Sequence, residues 1–132
     1  MEQQLLSQMS EEYKSTLKQR ITASLSRNDK CLLWGKSVSG SGYPQIKITV
    51  PGWGKKPMAV HRLVYTLNVG FIRDGYHISH LCHNRLCCLV DHLSHEPAAI
   101  NSQRIICKEI GRCHGHSSFP ACIMYVLILI IA

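Results

Sequence analysis

Residues 77–122 read HISHLCHNRLCCLVDHLSHEPAAINSQRIICKEIGRCHGHSSFPAC, and the reading of this stretch decides the fold. Six of the chain's seven cysteines and seven of its eight histidines fall inside it, at regular spacing. Cys82, Cys87 and His92 follow C-x4-C-x4-H, and Cys107, Cys113, His116 and Cys122 follow C-x5-C-x2-H-x5-C. Zinc takes four nitrogen or sulfur ligands in a tetrahedron, and closed structural sites use sets such as Cys3His. The second group supplies a whole set from one contiguous loop, with His114 an alternative to His116 that spacing does not separate. The first group is one ligand short. Cys31, the one cysteine outside the stretch, is its natural fourth member and would tie the N-terminal half to the cluster. Cys88 is left over and reads as a small buried hydrophobe, or else as a substitute for Cys87. Closed sites have no open coordination position, so both zincs are read as structural.

Working outward, 132 residues suit one domain with a modest core, and such domains need staples. The N-terminal MEQQLLSQMSEEYK has no basic segment followed by an apolar one, so no secretory signal is read. An intracellular, nuclear location is the expectation. Inside the cell, cysteine mixed with histidine favours zinc over disulfides. The net charge of +7 falls to about +5 once six thiolates and two Zn2+ are counted. A basic chain of this kind favours an anionic partner such as nucleic acid.

Upstream, residues 1–27 carry Leu5, Met9, Tyr13, Leu17 and Ile21 at helical spacing, which predicts an amphipathic helix. Ser10 before Glu11 and Glu12 offers a later start. YPQIKITV, 43–50, alternates Ile46, Ile48 and Val50 with Gln45, Lys47 and Thr49, the period of a half-buried strand. PGWGKKP, 51–57, is a turn by composition. MAVHRLVYTLNVG, 58–70, puts Val60, Leu63, Val64 and Leu67 on one helical stripe that Gly70 ends, and His61 there reads as a packing residue. In 71–81 an Asp74-Gly75 turn precedes alternation that predicts the second strand of a hairpin, with His80 at its end. EPAAINSQRII predicts a helix of two or three turns with Pro97 at its first position. The uncharged tail, 123–132, is too short to span a bilayer and suits a buried strand or a swapped arm; a membrane anchor is the lesser alternative.

Two residues in the cluster are not needed by zinc. His80, at a strand end beside the first cysteines, has the imidazole of a general base for activating water. Asn101, on the helix between the two groups, offers a neutral oxygen of the kind Mg2+ accepts, with waters and phosphate oxygens completing the octahedron.

In these residues the chain resembles the His-Cys box homing endonucleases of the ββα-metal nuclease class. The resemblance rests on SHLCHN at 79–84 with Cys87 and His92, then Asn101, Cys107 and the C-x2-H-x5-C that ends at Cys122; it extends back through CLLWGKSVSGSGYPQIKI and VHR to cover about 28–122. It implies an α+β fold, a small zinc-stabilised ββα-metal domain with little deep core over 28–122; the helix 1–27 lies outside the resemblance, and the apolar tail 123–132 follows the domain. His80 would be the general base and Asn101 the one protein ligand of a catalytic Mg2+. Cys31, Cys82, Cys87 and His92 would hold one zinc, and Cys107, Cys113, His116 and Cys122 the other. The family binds double-stranded DNA as a homodimer, reading bases through a strand face and opening the minor groove. Here the loop before Cys113 is one residue shorter than the family pattern, the ligand histidine follows at C-x2-H rather than C-x-H, and the tail is shorter than the family's swapped arm. Lys47, Lys55, Lys56, Arg62 and Arg104 are the candidate phosphate contacts.

The reading is therefore a Mg2+-dependent endonuclease hydrolysing phosphodiesters. The alternative is a zinc-stabilised nucleic-acid-binding module without cleavage, which would not need His80 or Asn101. A third is a protein-interaction module anchored by the tail.

Overall fold

The computed structural model describes residues 2–28 and 30–124, apart from the side chains of the first two of these. The tail assignment therefore lies largely outside the described residues, which end with Ile123 and Met124; Ile123 donates its N–H to Leu81 O at 2.8 Å.

The N-terminal segment is two helices rather than one, α1 (Glu2–Ser7) and α2 (Glu11–Ala23). The later start at Ser10 prevails because its hydroxyl accepts from Tyr13 N at 3.0 Å, and Glu11 and Glu12 complement the first-turn dipole. The apolar stripe still works as expected: Leu6, Met9, Leu17 and Ile21 are buried. Strand β1 (Leu25–Arg27) then pairs antiparallel with β2 (Leu32–Trp34), which delivers Cys31 to the core's edge.

Strand β3 (Gln45–Val50) buries Ile46, Ile48 and Val50 and exposes Lys47 and Thr49, as the alternation requires. The turn after it is shorter than the composition suggests. Only Pro51–Trp53 turn, with Gly52 at φ 80°, and Gly54–Ala59 form β4 paired with β3 from Val50↔Gly54 to Gln45↔Ala59. A two-stranded ribbon leaves both strands with an open edge, where a proline such as Pro57 is tolerated. Met58 and Ala59 finish β4, so helix α3 begins at Val60 and ends at Asn68.

Strand β5 (Tyr76–His80) does follow an Asp74-Gly75 turn, but it is the first member of its pair. Its partner is β6 (Leu93–Pro97), reached through the cysteine loop, in the register Tyr76↔Pro97 to His80↔Leu93. Alternation reports which side of a strand is buried and carries no information about the partner. Helix α4 (Ala98–Ile110) is longer than expected, with Pro97 as its N-cap and Gly111 as a left-handed C-cap at φ 77°. It therefore carries Cys107 in its last turn, so the second metal group is helix plus loop. β5, β6 and α4 make the ββα unit, and α4 packs on both strands. The core, from Leu17 through Ile48, Leu63 and Ile72 to Ile78, lies between the α1–α3 layer and the strands and includes Cys88, the leftover cysteine.

Candidate functional site

The fold brings each group of metal donors together. Zn–S near 2.3 Å and Zn–N near 2.0 Å in a tetrahedron require S···S of about 3.8 Å and S···N of about 3.5 Å. In the first group Cys31 Sγ lies 3.8 Å from Cys82 Sγ and 3.7 Å from His92 Nδ1, and Cys87 Sγ lies 3.5 Å from the same nitrogen. In the second, His116 Nε2 is 3.6, 3.3 and 3.4 Å from the sulfurs of Cys107, Cys113 and Cys122. All donors of each group fall within 4.8 Å of one another. Both sets fit zinc. The choice between His116 and His114 is made by burial: His116 is 4% exposed and inside the set, whereas His114 is exposed and outside it.

So many thiols cannot ionise together without a cation among them. The Cys87 thiol is held down to about 4, chiefly by a hydrogen bond from Cys82, while that of Cys82 is pushed up by the same contact and that of Cys31 by burial. A doubly charged ion removes this competition. The second set is braced from outside. Gln103 Oε1 accepts from His116 Nδ1 at 2.8 Å, fixing the tautomer that leaves Nε2 for metal, and Gly115 N and Cys122 N donate to Cys113 Sγ.

Between the groups lies a hollow of about 400 Å³ lined by His80, Asn101, Tyr43, Arg85, His83 and Lys108 among others. His80 is 8% exposed, and its Nε2 has no hydrogen-bond partner among the described residues. The Cys87 backbone lies against the ring and favours its protonated form, a smaller effect than burial. The ring also packs on His61 (centroids 4.9 Å) and Tyr43 (6.0 Å). Burial pushes the imidazole down to about 4, against a smaller upward effect of Cys87, so it is neutral at physiological pH. A neutral, buried imidazole with an open nitrogen is in the form a base requires. Asn101 Nδ2 donates to Ser79 Oγ at 2.7 Å, which puts Oδ1 on the opposite side of the amide. One neutral oxygen beside an open hollow suits a hard divalent cation that keeps most of its waters.

The family model described as the zinc-binding loop region of homing endonuclease matches residues 30–124. The chain belongs to this family. It is also 51% identical over 39 residues to the "Uncharacterized gene 5.3 protein" of Enterobacteria phage T3, a match that covers 30% of this chain and 39% of that protein. No solved structure matches significantly.

The matched residues 30–124 include the donors of both sets and the residues that line the hollow. The candidate phosphate contacts need correction. Arg104 is buried, with Nε and Nη2 bonded to Glu96 at 2.6 and 2.8 Å, Nη2 to Pro120 O and Nη1 to Cys122 Sγ. Its lone buried carboxylate partner, eight residues away, left no mark in the charge pattern. Arg62 is occupied with Tyr76 O at 3.2 Å, and Lys56 sits over the Trp53 ring. Lys47 and Lys55 are exposed on the β3–β4 ribbon. Of the three cations that line the hollow, Arg104 is tied to Glu96; the other two, Lys108 and Arg85, were not singled out from sequence, and Arg85 is held over the Tyr43 ring with Nη1 on Ser41 O at 2.7 Å. His61, read as a packing residue, does pack, and the ring it packs on is that of His80.

Proposed function

We propose that the protein is a metal-dependent DNA endonuclease in which His80 is the general base and Asn101 holds the catalytic Mg2+. The observation that carries this reading is the buried His80 Nε2, without a hydrogen-bond partner among the described residues, at a hollow that Asn101 also lines. Duplex DNA would lie along the β3–β4 ribbon, whose outer face shows Lys47, Thr49 and Lys55, with its scissile phosphate at the hollow near Arg85 and Lys108. His80 Nε2 takes a proton from a water whose oxygen bonds to phosphorus as the bond to the 3′ oxygen breaks; the leaving oxygen is protonated from solvent. Asn101 Oδ1 would hold the Mg2+, which would supply positive charge at the phosphate and the leaving oxygen. Cys31, Cys82, Cys87 and His92 hold one zinc and Cys107, Cys113, His116 and Cys122 the other, and the two ions fix the elements that carry His80 and Asn101. A homodimer on DNA inside the cell completes the reading, supported by the family's habit.

A second reading is a binding module without cleavage, favoured by the ribbon, whose basic outer face requires neither His80 nor Asn101. Incubation of zinc-loaded protein with supercoiled plasmid, with and without Mg2+ and beside His80→Ala, separates the two. Mg2+-dependent nicking abolished in His80→Ala supports the endonuclease. Equal nicking by both proteins, or none by either, removes it, and a retained mobility shift then leaves the binding module.

A further inference from the structure

Beneath helix α4 a continuous run of polar side chains connects the second metal group to Asn101. It starts at Cys122, whose sulfur accepts from Arg104 Nη1 at 3.3 Å, and passes through the Arg104–Glu96 pair. The Ser79 and Ser94 hydroxyls lie beside the Glu96 carboxylate and help to hold it ionised. Ser79 and Ser94 are directly paired across β5 and β6, and Glu96 follows Ser94 on the same side of its strand. The run ends where Ser79 Oγ meets Asn101 Nδ2 at 2.7 Å. Ser79, Glu96 and Arg104 are almost wholly buried.

The chemistry of these groups gives the run a direction. A guanidinium only donates, and the ionised carboxylate bonded to it only accepts. The Ser79 hydroxyl must therefore spend its one proton on Glu96, and its oxygen is left as an acceptor. Only the NH2 end of the Asn101 amide can satisfy that acceptor. We propose that the Arg104–Glu96–Ser79 chain orients Asn101, holding its oxygen toward the hollow as the ligand of the divalent cation. Ser79 and Glu96 are thus positioning residues that act through Asn101. This rests on the reading of Asn101 as the cation's ligand. An isolated asparagine would present oxygen or nitrogen with little preference; the buried ion pair removes the wrong choice.

Two substitutions act on the direction in different ways. Ser79→Ala deletes the acceptor and leaves the amide without a preferred orientation. Glu96→Gln replaces an acceptor-only group with one that can donate to Ser79, which frees the hydroxyl proton to turn on Asn101 and favours nitrogen toward the hollow. The test is titration of zinc-loaded protein with Mn2+, as a spectroscopic stand-in for Mg2+, followed by electron paramagnetic resonance. Zinc content and affinity for a duplex oligonucleotide are measured on the same samples. Ser79→Ala is expected to weaken Mn2+ binding about two- to tenfold, the worth of one hydrogen bond, and Glu96→Gln at least as much. Zinc content and DNA affinity should stay at the parent's values. Asn101→Ala should abolish the saturable site. If Asn101→Ala loses Mn2+ while Ser79→Ala binds it like the parent, the orienting chain is refuted and Asn101 keeps its role. If Asn101→Ala binds Mn2+ like the parent, both fall. Ser79→Ala leaves the ion pair intact and so decides the matter even where Glu96→Gln does not fold.

Discussion

Replacing Arg104 with methionine is expected to destabilise the ββα unit strongly. The Glu96 side chain is 0% exposed and that of Arg104 3%. Methionine fills most of the volume but removes the guanidinium, stranding a buried carboxylate together with Pro120 O and Cys122 Sγ. Leaving one member of a buried pair uncompensated costs about 3–5 kcal/mol, against a stability of roughly 5–15 kcal/mol for a domain of this kind. Exchanging both members, Glu96→Leu with Arg104→Met, takes both charges out of the interior and should recover much of the loss. The assay is urea unfolding of zinc-loaded protein at fixed free zinc, with all four members of the double-mutant cycle. The pH dependence has a definite sign. In the parent, Arg104 and the two serine hydroxyls outweigh burial and hold Glu96 below the usual carboxylate range. Its contribution is therefore present above the unfolded value and lost as pH falls through the folded one. In Arg104→Met burial acts with less opposition and raises the Glu96 carboxyl, so the variant loses stability as pH rises through that raised value. The gap between parent and variant should widen from acid to neutral pH. A single-variant cost below about 1 kcal/mol, or a double variant as damaged as the single one, would refute this account of the pair.

Metal analysis should return two zinc ions per chain, falling to one in Cys31→Ala and in His116→Ala and staying at two in His114→Ala; loss of zinc from His114→Ala would reverse the assignment. Gln103→Ala removes the partner of His116 Nδ1 and should weaken zinc at the second site about 10- to 100-fold in a chelator competition, leaving the first site unchanged. If the ribbon contacts phosphates, Lys47→Ala and Lys55→Ala should each lower the slope of log K against log salt by about 1 in fluorescence anisotropy with duplex DNA. Arg104→Met should leave that slope where it was, because its guanidinium faces the interior.

The metal groups were legible from sequence because ligand chemistry fixes both residue type and number. Even the distant Cys31 followed from counting, since the set at 82, 87 and 92 was incomplete. The β3 alternation and the α3 stripe were legible for the same kind of reason, a period imposed by burial. Elements failed at points where a single contact decides. The Ser10 hydroxyl, not the apolar stripe, splits α1 from α2. Gly111 takes the left-handed position that closes α4, and the spacing of the isoleucines upstream does not mark it. The pairing of β5 with β6 joins residues separated by the whole first metal loop, and no local pattern encodes that partner. The same holds in the hollow. His80 and Asn101 stood out because zinc did not need them, whereas Ser79, Glu96 and Arg104 acquire meaning only when β5, β6 and α4 stack.

The two donor sets, chemically alike, differ in the length of chain they close. Cys107 to Cys122 is a local loop whose ends meet often in an unfolded chain. Cys31 must find Cys82, 51 positions away. Closing the longer loop carries a larger entropic cost and is slower. The second site should therefore fill early as the chain collapses, capping α4 while the rest is still searching. The first should fill late, because Cys31 arrives only once β1 and β2 have paired. Zinc starvation would then act unevenly, stalling the chain with its C-terminal metal loop formed and its N-terminal half unattached.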